Sequence, residues 1–147
     1  VAASAILPKF LISAPAYFQN LYLPPMDHPA GHTDSPLSNA LTSARFVLLT
    51  QQQLIKDFGQ HSCTFEAPFA HEPFEMDVLV DTVQAALTHI LEKTPNKWLP
   101  LMYTLDISEK KYIRFFSETS ADWLPEFAWI VIRREAQKVF FREKFRD

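Results

Sequence analysis

A chain of 147 residues with 48% apolar side chains, 13 Phe, 4 Tyr and 3 Trp has the material for a buried core and does not have the composition of a disordered protein. Its net charge of -3 lacks the positive excess that phosphate neutralisation demands, which argues against nucleic acid as the partner. Its single cysteine, Cys63, rules out an intrachain disulfide and points to a reducing, cytoplasmic setting.

Glycine is scarce, with 2 residues against 11 prolines, so turns must rely on Pro, Asn, Asp and Ser. Neither a P-loop nor a dinucleotide fingerprint is present, and no cofactor is expected. No apolar run reaches the roughly 20 residues needed to span a bilayer. The opening segment, 1–22, carries only Lys9 and is interrupted by Pro8, so it does not read as an intact signal peptide.

Residues 1–36 read as a proline-rich N-terminal arm and loop. Pro8 and Pro15 keep any elements there short, while Phe10, Leu11, Ile12, Tyr17 and Phe18 need cover from the domain or a partner chain. A helix is expected to begin at Pro36 with Ser35 as its cap, placing Leu37, Leu41, Ala44 and Leu48 on one face. The preferred continuation is a strand at Arg45–Leu49, then a second helix over Gln51–Phe58. Thr50 caps that helix, Gln53 completes a capping box and Gly59 closes its C-terminus.

Cys63–Phe69 alternates like a strand. Glu75–Glu92 repeats apolar residues at helical spacing and has the clearest pattern in the chain. Leu101–Leu105 and Lys111–Phe116 read as an antiparallel hairpin around a polar turn. The sheet formers of Phe127–Ile132 predict a strand followed by a helix, with one continuous helix as the alternative. The predicted architecture is therefore a single α+β domain over 1–147, mainly antiparallel sheet packed against a few amphipathic helices.

The most site-like constellation is Asp27, His28, His32 and Asp34 in the proline-stiffened loop. Together His28, His32, His61 and Cys63 offer a tetrahedral zinc ligand set, but no HExxH or paired CxxC supports it. Polar loop chemistry and a small buried thiol are the preferred explanation. A nucleophile pair of Cys63 with His61 or His71 is disfavoured, because residues two apart on one strand face seldom bring their tips within bonding reach. The carboxylates Asp106, Glu109 and Glu118, and Glu72, Glu75 and Asp77, have no fixed separation and are first read as caps and dipole partners. Asp77 and Asp81, four apart, could meet a cation but read at least as well as solvated neighbours, and His89 reads as a residue at the edge of a helix face. The basic C-terminal stretch reads as a solvated face, with no helix-turn-helix pair before it.

The aromatic surplus supplies the binding candidates: Trp98, Trp123, Trp129, Phe141 and Phe145. Three rings at Phe140, Phe141 and Phe145 cannot all turn toward one flat surface, and interfaces favour such residues. The sequence thus predicts a non-catalytic regulatory or binding protein. It would act through protein–protein or apolar small-molecule contacts, be homodimeric, and engage neither nucleic acid nor membrane. The alternative is a small hydrolase, metal-dependent in one form, using the 27–34 histidine loop (His28, His32) with His61 and Cys63.

Overall fold

The computed structural model describes residues 36–116 and 123–146. The N-terminal arm, the Ser35 cap, the 27–34 loop and Glu118 lie outside these residues. Seven α-helices and one short 3₁₀ turn make up the described secondary structure, and no strand occurs among the described residues. The helices are α1 (Pro36–Ala40), α2 (Ala44–Gly59), α3 (Pro68–His71), α4 (Met76–Lys93), α5 (Trp98–Leu105), α6 (Glu109–Phe116) and α7 (Trp123–Lys144).

Local chemistry explains the boundaries. Ser43 caps α2: its Oγ accepts from the Phe46 N–H at 3.2 Å. Gly59 ends that helix, and Ser62, with φ 63°, turns the chain away. Pro68 occupies the first turn of α3, where its missing N–H has no cost. Beyond α4, the Pro95–Lys97 3₁₀ turn leads directly into α5. Asp106 stops α5 in the left-handed region, φ 61°. Pro125 is tolerated in α7 because it falls in the first turn.

Helix α7 is the central element. It packs against α2 on one side and α4 on another, and also touches α1, α5 and α6. Between them lies a core that includes Leu54, Phe58, Leu79, Val83, Leu101 and Phe127, all closed to solvent. A second, smaller cluster joins Phe46, Ala136 and Val139 to Leu37, Ala40 and Leu41 at the α1 end. No helix among the described residues is long and apolar enough to cross a membrane.

The helical architecture overturns the α+β expectation. Arg45–Leu49 lies inside α2, where Phe46, Val47, Thr50, Gln51 and Leu54 are buried at helical intervals. Thr50 is not a cap; its hydroxyl donates to the Phe46 carbonyl one turn back. Cys63–Glu66 has no helical or strand assignment and pairs with no strand; Phe65 stacks on Phe69 at 4.4 Å, while Ala67 is exposed. The expected hairpin is α5 and α6: Trp98, Leu101, Met102 and Leu105 are buried while Tyr103 faces out, a period that no strand produces. The Glu75–Glu92 helix is present as α4.

Phe127–Ile132 belongs to α7, which runs unbroken. Sheet propensity spans only about 1 kcal/mol. Burying Phe127, Ala128, Val131, Ile132, Ala136 and Val139 against two neighbouring helices outweighs it.

Candidate functional site

Among the residues singled out from the sequence, His28 and His32 lie outside the described residues. His61 sits half-buried with its Nε2 2.6 Å from Thr104 Oγ1. Cys63 is buried, and that burial pushes its thiol up against the opposing charge of Lys97. Such a thiol is less available as thiolate, which favours packing over nucleophilic chemistry. Among the described residues, no group of three or more His, Cys, Asp or Glu side chains is placed to hold a metal ion. Burial and the neighbouring Asp77 charge both raise the Asp81 carboxyl.

The aromatic candidates divide in two. Trp98 and Trp129 are buried; Trp98 stacks on Phe127 at 5.5 Å, and half-buried Trp123 meets the same ring edge-on at 6.0 Å. Trp98 and Trp123 thus pack on Phe127 where α5 meets α7, and Trp129 belongs to the same core cluster. By contrast, Phe141 of α7 and Phe145, just past its end, are 52% and 73% exposed and stack on each other at 6.4 Å.

A more concave surface lies across α5 and the start of α6. Leu99 and Tyr103, one turn apart on α5, are 62% and 90% exposed. They border an open groove of about 680 Å³ floored by Met102 and Ile107, with Asp106 and Glu109 on its polar rim. Asp106 also pairs with Arg134 of α7, which fixes that corner of the groove. The positively dihedral Asp106 lets α5 end while keeping Ile107 buried: the Ile107 N–H donates to the Met102 carbonyl at 3.0 Å.

Beneath this surface, charged groups cross the seam between α2 and α7. Lys138 Nζ donates to Asp57 Oδ2 at 2.7 Å and to the Thr104 carbonyl at 2.9 Å, and lies 2.7 Å from Glu135 Oε2. Gln53 Nε2 donates to both Asp57 oxygens at 3.2 Å, and Gln53 Oε1 accepts from Arg142 at 2.7 Å. Burial opposes ionisation of Asp57, but hydrogen bonds from Glu135, Lys138 and Gln53 outweigh it and hold the carboxyl below its usual range. Burial likewise works against the Lys138 charge, and its contacts with Asp57 and Glu135 reverse the effect, leaving it raised. Thr104 extends the arrangement to His61 through its hydroxyl.

No family model matches this chain. Comparison with curated proteins and with solved structures finds no match either.

Sequence reasoning did not single out Asp57, Gln53, Glu135, Lys138 or Arg142 as a group. The signal for Glu135 is present once α7 is read as a helix: it continues the buried series Ala128, Val131 and Ile132 toward Val139, a charge set into an apolar stripe. Asp57 follows Gln53 by four residues on α2, so both face the same neighbour.

Proposed function

We propose that this protein is a non-catalytic binding protein that works through protein–protein contacts and is homodimeric. The observation that carries this reading is the exposure of Leu99 and Tyr103 over an open, partly apolar groove. Exposed apolar and aromatic side chains beside a concavity supply the contacts that a partner surface would cover. The exposed Phe141–Phe145 pair adds a second apolar surface with the aromatic character of interfaces. A reducing compartment such as the cytoplasm suits a chain whose lone thiol is buried.

Sedimentation equilibrium tests the reading. The wild-type chain should self-associate, and Leu99→Glu with Tyr103→Glu should yield monomer with an unchanged circular dichroism spectrum. A wild type that stays monomeric at high concentration removes the homodimer. Turnover of a model ester or peptide that disappears in Cys63→Ala or His28→Ala would remove the non-catalytic reading and restore the hydrolase.

A further inference from the structure

The seam between α2 and α7 buries more acid than base. Asp57 and Glu135 approach the same Lys138 ammonium, and their side chains are 5% and 0% exposed. Arg142, the next cation along α7, is engaged with Gln53. Glu135 Oε2 is paired with Lys138 at 2.7 Å, while Oε1 has no hydrogen-bond partner. The neighbouring donors are already committed: Lys138 is divided among Asp57, the Thr104 carbonyl and Glu135 Oε2, and Gln53 donates to Asp57.

Among the described residues, the other elements packed on α7 do not make up the deficit. The buried face of α4 presents Gln84 and Thr88 as its polar groups and no titratable one, and α1 has none in its sequence. Helix α5 contributes the Thr104 carbonyl, behind which His61 reaches the Thr104 hydroxyl. Asp106 and Arg134 pair with each other nearer the surface, and Glu109, Lys110 and Lys111 of α6 are exposed. Two ionised carboxylates on one ammonium would leave an uncompensated negative charge in a dry seam, at a cost of several kcal/mol. A single proton cancels that charge and gives Glu135 a hydrogen to donate toward the second carboxyl.

We propose that Asp57 and Glu135 share one proton beneath Lys138, and that this proton latches α7 to α2. Glu135 carries it and donates toward Asp57, which stays ionised and receives Lys138. In support, burial first, and then the hydrogen bond to Asp57, raise the Glu135 carboxyl to about 9 against the pull of Lys138. The folded protein therefore holds a proton that the unfolded chain releases in the ordinary glutamate range. The latch is fully effective below that range and weakens as pH rises toward about 9. Loss of the proton sets two carboxylates against each other across the helix pair.

Urea unfolding of the full chain across this window, at constant ionic strength, reads the latch directly. His61→Asn serves as the background, so that the nearby imidazole does not contribute. The unfolding constant should rise with pH, by up to about tenfold per unit. Adding Glu135→Gln, which keeps a donor toward Asp57 without an ionisable group, should flatten that rise. An unchanged slope in E135Q overturns the proposal. Should E135Q fail to fold, carboxyl carbon NMR of the wild-type chain decides. A Glu135 resonance that titrates well above the other glutamates supports the shared proton, and one that titrates with them overturns it.

Discussion

Single side chains hold this fold at places where apolar packing alone would not. Gln51 is closed to solvent on α2, and its amide nitrogen donates to the carbonyls of Phe69 and Glu72, each at 2.8 Å, while its oxygen accepts from the Phe74 N–H at 2.7 Å. It stitches α3 and the following loop to α2 by supplying what a strand partner would have supplied. Gln51→Leu leaves those backbone groups unpaired and should cost about 3 kcal/mol in urea unfolding; a loss under about 0.5 kcal/mol would show that water replaces the amide easily. Ser62 presents the opposite case. Its φ of 63° is strained for any residue with a Cβ, and its side chain is exposed. Ser62→Gly should stabilise by about 0.5–1 kcal/mol, seen as a higher melting temperature; a lower one would mean that the added freedom of the unfolded chain dominates. Neither residue is legible from composition, since a glutamine that begins a predicted helix and a serine in a loop carry no signal of their tertiary partners.

At the level of elements, Phe127 inside α7 and Phe145 just beyond its last residue show how one segment serves two purposes. Phe127 is fully enclosed between Trp98 and Trp123, whereas Phe145 stands out in solvent. Phe127→Ala should cost about 3–5 kcal/mol, and Phe145→Ala should stay within about 0.5 kcal/mol of wild type. Equal effects by denaturant titration would contradict this division. The sequence made α4 legible because 18 residues repeat one pattern, but α5 and α6 have only 8 each. Over so few residues, alternation and a 3.6-residue repeat select overlapping positions. The choice between them fell to β propensity, which Ile130, Val131 and Ile132 also misdirected. A strand ending at Ile132 separates Glu135 from the apolar series that identifies it, and the charged seam is lost with the helix register. Had the helix been read continuously, the buried glutamate would have stood out; its partner Asp57, across 78 residues of sequence, would not.

For the whole molecule, the helix content makes a simple demand on spectroscopy. Circular dichroism of the full chain should be dominated by helix, and a spectrum dominated by sheet would contradict the architecture described above. Trp98 and Trp123 meet Phe127 where α5 joins α7, and Trp129 is buried on the same helix. Tryptophan fluorescence and circular dichroism should then report the same unfolding midpoint, and separated midpoints would mean that the α2–α7 end opens independently. The same dependence on α7 has a consequence during biosynthesis. Helices α2 and α4 leave the ribosome before α7, with the faces that α7 will cover still bare. The nascent chain therefore displays Leu54, Phe58, Leu79 and Val83 to solvent or to a chaperone until residues 123–144 emerge, and only then does the core close.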